Sequence, residues 1–509
     1  MKHLIISREY PGAPGGGIGT YVASMSRLLA QNGETVHVIG QLWKGFEKEI
    51  EEECSGRLII HRVPFVDWTS IVRARPHPLL RSTKAEALFK SAFPPQSFAW
   101  TAAFLAESLV AEEGIDVIEA QEFEAPLYFF QLRRNLGLGP NRRPPCIVHL
   151  HSPSEFIAWH NGWNEDLPAV SIAKRMEDYT IAAADALLCP SAFLARQAEA
   201  HYGIGRGAIP VIPYPLGNEA SVLERDSEVW RKGPVTYVGR LEPRKGVLEW
   251  IDAAVDVASE NDAVQFEFVG ANVLGCNKID SEDALWRRIP GRLRPNFRMW
   301  GEQERSKLNS FLAGARISVV PSRWDNFPNT CMEAMASGLP VIATRAGGMA
   351  EMIEDNRSGW LADTPDRYGL GEALRRALNT PPSWIAGMGR LSSEKIHEMC
   401  GNERVLARQL DFRKQVALRR SKQHVHPAPD LEAGAGSAVH GCEMIDELVR
   451  TGIAALRHPR RAFSLLAKIA GGAVADTIGR RLPGADLRAS RAIPANFRSR
   501  SDLVERNVV

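Results

Sequence analysis

Cysteine is sparse. The 509 residues hold seven, at positions 54, 146, 189, 276, 331, 400 and 442, and none forms a C-x-x-C pair. That spacing argues against a zinc ribbon or a disulfide framework and suits a reducing compartment. Long hydrophobic runs are also missing: no stretch approaches the roughly eighteen apolar residues of a membrane-spanning helix. The opening "MKHLIISREYPG" has too short an apolar run for a signal peptide, so a cytoplasmic protein is the default expectation. Net charge is small, +2, and by itself points to no acidic partner. There is no short-period repeat and no D-x-D triplet to suggest a metal-bound diphosphate.

The charge is unevenly spread. Residues 451–509 carry eleven Lys/Arg against four Asp/Glu, a net +7, which leaves −5 for the first 450. The length allows two or three domains.

Short apolar runs alternate with helical patterns from the start. "HLIIS" (3–7), "TVHVIG" (35–40), "LIIHRV" (58–63), "DVIEA" (116–120), "CIVHLH" (146–151), "ALLCPS" (186–191) and "IPVIPY" (209–214) read as buried strands. A polar, turn-rich stretch follows at 215–233. The alternation then restarts with "VTYVG" (235–239), "VQFEFVG" (264–270), "FRMWG" (297–301), "RISVVPS" (316–322) and "PVIAT" (340–344), and helical patterns fill 366–418. The expected fold is α/β: two Rossmann-like, doubly wound domains facing each other across a cleft, with a basic C-terminal extension. Ligands of open parallel sheets bind beyond the carboxyl ends of the strands, so the strand-end loops are where chemistry is sought.

Three such loops stand out. Gly15, Gly16, Gly17 and Gly19 lie between the first strand and the first helix. Glycines admit close backbone approach, and a helix N-terminus favours anions, so a diphosphate fits there. The spacing is not G-x-G-x-x-G and no acid closes the second strand, which disfavours a nicotinamide cofactor. A ligand-free tight turn is the alternative. In "YVGRLEPRKG" (237–246), Arg240 and Lys245 can clamp a diphosphate. The alternative is a solvated basic turn paired with Glu242, to which Arg244 is the first candidate. In "PSRWDNFPNTCMEAMASGLPVIATRAGG" (321–348), Asp325 follows a strand and Glu333 sits in the next helix. A Thr330-x-x-Glu333 capping box would account for Glu333 without a ligand.

Together, "VGRLEPRKG" and "PSRWDNFPNTCMEAMASGLPVIATRAGGMAEMI" resemble the donor-binding half of retaining GT-B glycosyltransferases, family 4. The resemblance spans about residues 1–418 and is strongest over 235–355. The family hallmark, E-x7-E, reads D-x7-E here, from Asp325 to Glu333. The resemblance implies a donor-side role for each matching residue. Glu333 would accept hydrogen bonds from ribose hydroxyls, and Asp325, one methylene shorter than the usual glutamate, would hold hydroxyls of the donor sugar. Arg240 and Lys245 would neutralise the departing diphosphate, and Gly16 and Gly17 would face it. Backbone around Asn326, Phe327, Pro328, Asn329 and Thr330 would cradle sugar and phosphate, with the base near Met299–Gly301. His151 would stand near the sugar, while its neighbour His149 is more simply a core histidine. Glu122 closes another strand; it would meet the acceptor or be a solvated loop acid.

The implied enzyme is a metal-independent hexosyltransferase without a cofactor, whose co-substrate is a nucleotide-diphosphate sugar. Its acceptor would be a glycan, a lipid-linked molecule or a small molecule. A sugar-nucleotide epimerase of the same fold and a catalytically silent nucleotide-sugar-binding protein are the alternatives. The implied organisation is an acceptor-side domain over 1–215 and a donor domain over 216–395. A helical segment over 396–419 would return to the first domain, followed by a linker over 420–450 and the basic tail over 451–509. Within that tail, 452–482 mixes apolar residues with Arg and Lys and suggests peripheral contact with the inner face of a membrane; a tail with no lipid partner is the alternative. With almost no aromatic residues in the tail, nucleic acid is not an expected partner.

Overall fold

The computed structural model describes residues 1–11, 16–43, 48–64, 94–163, 168–217, 221–271 and 282–421. The chain divides into two units, Met1–His426 and Pro427–Val509, and all described residues lie in the first. Gly15, the linker beyond residue 421 and the basic tail are outside the described residues.

The first sheet runs in the order β3-β4-β2-β1-β5-β6-β7. Its strands are β1 (Lys2–Ile6), β2 (Thr35–Leu42), β3 (Ile50–Glu53), β4 (Leu58–Pro64), β5 (Val117–Gln121), β6 (Cys146–His149) and β7 (Ala186–Leu188). All pairings are parallel except β3 with β4. Strands such as β5 and β6 are buried along their whole length, which explains continuous apolar runs in place of alternation. β3, "IEEE", was not expected: it is a charged edge strand whose residues alternate between exposed and half-buried. The expected strand at 209–214 does not form. Pro210 and Pro213 remove ladder donors, and only an isolated bridge, Cys189 to Val211, survives there.

The second sheet is parallel, in the order β10-β9-β8-β11-β12-β13. It consists of β8 (Val235–Val238), β9 (Phe266–Val269), β10 (Phe297–Met299), β11 (Ile317–Val320), β12 (Val341–Thr344) and β13 (Gly359–Ala362). β13 adds a sixth strand that the sequence pattern did not suggest.

Seven helices position the site and the contacts between the two sheets: α1 (Gly17–Gln31), α2 (Ser154–Asn161), α3 (Ala192–Tyr202), α4 (Val247–Glu260), α5 (Asn329–Ala336), α6 (Pro382–Cys400) and α7 (Asn402–Ser421). α1 buries Tyr21, Val22, Met25 and Leu29 on one face, the helical spacing of a core-facing stripe. An apolar cluster continues from α1 and β2 through Tyr214 and Phe327 to α5 and α6, so one core crosses the junction between the two sheets.

Polar contacts clasp the same junction. Asn326 Nδ2 donates to the His151 carbonyl (2.7 Å), and Ser191 Oγ donates to Asn326 Oδ1. Glu351 accepts from the amides of Ala192 (3.0 Å) and Phe193 (2.6 Å), filling the start of α3 from the other domain. α7 reaches the first sheet: Arg413 is fully buried against Glu119, which also accepts from Tyr21 Oη (2.9 Å). No described helix is long and apolar enough to cross a membrane.

Candidate active site

A cavity of about 490 Å³ opens between the two sheets. Two helix starts and one basic turn meet on its wall.

The first helix start is that of α1. Gly16 occupies its N-cap position, and Gly16, Gly17 and Thr20 line the cavity. A Cβ on Gly16 would lie 2.1 Å from Glu9 Oε2 and would have to displace that carboxylate, and a Cβ on Gly19 would lie 2.0 Å from the Glu9 carbonyl oxygen, a backbone atom, so the loop packs closest at Gly19. The second is that of α5, where Pro328, Asn329 and Thr330 line the opposite wall. Asn329 Nδ2 donates to the Gly17 carbonyl across 3.1 Å, bringing the two helix starts together. First-turn amides have no intrahelical acceptor, and the dipole adds partial positive charge, so this convergence favours an anion.

The basic turn follows β8. Residues Pro243–Lys245 form one 3-10 turn closed by Gly246 at φ +68°. A Cβ on Gly246 would lie 1.8 Å from the Pro321 carbonyl oxygen, so the turn is pressed against the end of β11. That contact brings Lys245 and Asp325, eighty positions apart, into an ion pair. Arg240 and Lys245 both line the cavity. Arg240 has a side chain 55% exposed and lies 3.5 Å from Glu242.

Arg244 pairs with Glu242 (2.8 Å), as the basic-turn alternative expected, but it is buried, not solvated. Its guanidinium also donates to the Trp324 carbonyl (3.2 Å), and its backbone N–H donates to Asn161 Oδ1 in α2 (2.9 Å). Arg244 therefore ties the basic turn to both the Asp325 loop and the first domain.

Glu333 lines the far end of the cavity and accepts from Arg305 Nη2 at 2.6 Å. The capping box is not formed: α5 starts after Pro328 without a side-chain cap, and Thr330 lies inside the helix, not at its N-cap. Gly270, Ala271, Glu302, Gln303, Glu304 and Phe311 complete that end, just beyond the expected Met299–Gly301 stretch.

Several expected site residues are placed elsewhere. Asp325 is only 6% exposed and is not on the cavity wall; its carboxylate is taken by Lys245 and by Ser322 Oγ (3.3 Å). Direct contact with a sugar is thus not what its side chain offers here. Asn326, 1% exposed, serves the domain clasp, and Phe327 packs edge-on against Tyr214 with ring centroids 5.4 Å apart. His151 is buried, with Nδ1 on Tyr214 Oη (2.5 Å) and its ring stacked on that tyrosine. Burial, then the neighbouring His149, lowers its pKa, so its imidazole is neutral. It does not line the cavity. His149 is a core histidine, bonded through Nδ1 to Glu119 Oε1 at 3.2 Å.

Glu122 is not a solvated loop acid and does not line the cavity. It is fully buried and accepts from the His151 amide (2.8 Å to Oε1, 2.7 Å to Oε2) and the Ser152 amide. Burial pushes its carboxyl up to about 7, with those amides restraining the rise. Sequence reasoning missed Arg305 as the partner of Glu333, Asp325 as the partner of Lys245, and the Arg413–Glu119 pair. None has a local signal; each joins residues far apart in the chain. Among the described residues no cluster of three or more His, Cys, Asp or Glu could hold a metal.

The architecture is GT-B. The chain superposes on sucrose-phosphate synthase from Thermosynechococcus elongatus with a TM-score of 0.63 at 18% identity, covering 82% of this chain and 99% of that one. The catalytic domain of starch synthase IV from Arabidopsis thaliana, bound to ADP and acarbose, gives 0.58 at 16%, covering 82% and 99%. By sequence, the chain is 25% identical over 394 residues to glycogen synthase of Mycobacterium tuberculosis, covering 75% of this chain and 87% of that protein. It is 26% identical over 396 residues to D-inositol 3-phosphate glycosyltransferase of Acidothermus cellulolyticus, covering 73% and 80%. The family model "Glycosyltransferase Family 4" matches residues 15–216, and that of "Glycosyl transferases group 1" matches 233–380. The chain belongs to this glycosyltransferase family.

Proposed function

We propose that the protein is a retaining glycosyltransferase that moves a sugar, a hexose by the family resemblance, from a nucleoside diphosphate to an acceptor hydroxyl. One observation carries the reading: Arg240, Lys245 and two helix starts surround one cavity whose far end bears Glu333. Glu333 would receive the ribose hydroxyls, and the cations and amides would receive the diphosphate. The names of the relatives, glycogen synthase and D-inositol 3-phosphate glycosyltransferase, support a hydroxyl acceptor on a glycan or a small molecule.

In the reaction, the bond from the anomeric carbon to the phosphate oxygen breaks and the acceptor oxygen bonds to the same carbon on the same face. The acceptor proton passes to the leaving phosphate oxygen. The sugar gains oxocarbenium character, as in glycoside hydrolysis, and negative charge builds on the diphosphate. Arg240, Lys245 and the starts of α1 and α5 are preorganised for that charge, so the proposed reaction needs no metal. Closing the cleft around the donor would limit its hydrolysis. For the stretch 452–482, contact with an anionic membrane surface is proposed on the charge of the sequence alone.

A panel of UDP-, GDP- and ADP-sugars tests this, first by thermal shift, since a bound donor raises the melting temperature. Release of nucleoside diphosphate on adding a hydroxyl acceptor, with EDTA present, is the expected result. Turnover of the nucleotide sugar without any acceptor would support an epimerase instead, and binding without turnover a silent protein.

A further inference from the structure

The carboxylate that opens the D-x7-E pattern is turned away from the cavity and onto a lysine. We propose that Asp325 is a positioning residue for the diphosphate site. It holds the Lys245 ammonium at the cavity wall and keeps it charged until a nucleoside diphosphate becomes its counter-ion. The inference rests on the donor-site reading above and gives Asp325 a role that does not require it to touch the sugar.

The geometry is specific. The backbone of Asp325 is fixed: it pairs with Gly347 in a parallel bridge, and its carbonyl accepts from the Gly348 amide at 3.0 Å. From that anchor the short side chain ends beside the 3-10 turn, where Oδ2 meets Lys245 Nζ and accepts from Ser322 Oγ at 3.3 Å. Oδ1 lies 3.7 Å from Arg244 Nη1. Lys245 lines the cavity with a side chain 20% exposed, while Asp325 stands behind it at 8%. The carboxylate thus supports the ammonium from the protein side and leaves the cavity side for a ligand.

The charges around Lys245 show why such support matters. On its own turn are Arg244 and Glu242, and Arg240 stands at the end of β8. From the β11 loop comes Asp325, and the far cavity wall carries Glu302, Glu304 and the Arg305–Glu333 pair. Near the ammonium, Lys245 and Arg244 are balanced by Asp325 and Glu242. Burial lowers the Lys245 pKa and Arg244 adds to that, whereas Asp325 acts to raise it. Removing the Asp325 charge would leave two cations against one anion in a desolvated site, and the ammonium would lose its proton at lower pH.

The test is calorimetric titration of UDP, GDP and ADP into the full-length protein and its D325N, D325E and K245R variants, from about pH 7.5 to about pH 10. In the wild type, affinity declines as Lys245 deprotonates. In D325N that decline starts at lower pH than in the wild type. D325E keeps the charge and stays near the wild-type profile. K245R, whose guanidinium stays protonated, keeps only the decline that ionisation of the uracil or guanine base itself causes, and none with ADP. A purely structural role for Asp325 would weaken binding equally at every pH. A D325N profile parallel to the wild type, or a decline in K245R as steep as the wild type's with the same nucleotide, overturns the proposal. Should D325N not fold, K245R decides alone. Failure of all three nucleotides to bind the wild type would overturn the donor-site reading itself, a separate result.

Discussion

Replacing Arg240 with alanine removes a cation that the fold does not need. Its side chain is 55% exposed and only approaches Glu242, at 3.5 Å. Its backbone carbonyl, which accepts from Tyr237 Oη at 2.7 Å, is untouched by the substitution. An exposed ion pair of this kind contributes about 0–1 kcal/mol, so unfolding free energy should change by no more than about 0.5–1 kcal/mol. Catalysis should respond differently. A hydrogen bond to a charged group is worth about 1.5–3 kcal/mol, which corresponds to about a 10- to 160-fold loss in kcat/KM. The assay is acceptor-dependent release of nucleoside diphosphate, with urea unfolding run in parallel. Arg298, also exposed and 4.0 Å from Glu267, is the charge control; R298A should alter neither quantity. If R240A and K245A both left turnover unchanged, the electrostatic part of the account would be wrong.

Three further outcomes are expected. E333Q should weaken nucleotide binding about tenfold and erase the preference for UDP over 2′-deoxy-UDP, read by competition; an intact preference would move the ribose elsewhere. G246A places a Cβ 1.8 Å from the Pro321 carbonyl at a positive φ, so it should lower the melting temperature and raise the donor KM together, because it displaces the Lys245 turn; a normal KM would separate the turn from the site. E119Q strips the buried Arg413 of its carboxylate and should cost about 3–5 kcal/mol in urea unfolding. Although burial pushes the Glu119 carboxyl up, Arg413, His149 and Tyr21 hold it down at about 2, from 4.5. A depressed folded-state pKa means this stabilisation is present above pH 4.5 and declines as pH falls toward 2. The wild type should therefore lose its margin over E119Q across that window, and a margin independent of pH would contradict the assignment.

The alternating architecture was legible because β1, β5, β6, β11 and β12 are short, largely apolar and bounded by loop residues. The charged strand β3 was not legible, because "IEEE" has no apolar face to mark it, and "IPVIPY" misled because its two prolines cannot join a ladder. Among site residues, Gly16 and Gly17 of the first loop and Arg240 and Lys245 of the basic turn announced themselves by residue type at strand ends, and these four line one cavity. His151 and Glu122 carried the same kind of signal and are buried instead, bonded to each other's segment through the His151 amide. A single sequence cannot distinguish a strand-end side chain that turns into the cleft from one that turns into the core. Nor can it foresee that the Gly246 turn packs on Pro321, the contact that brings Lys245 to Asp325.

The most direct measurement is a crystal structure of the protein with a nucleoside diphosphate, chosen from UDP, GDP and ADP by affinity. The account predicts diphosphate oxygens within about 3.2 Å of Lys245 Nζ and of the Arg240 guanidinium, and ribose hydroxyls on Glu333. A nucleotide bound away from the Arg240–Lys245 turn, or one whose diphosphate faces solvent with Lys245 still held only by Asp325, would contradict it.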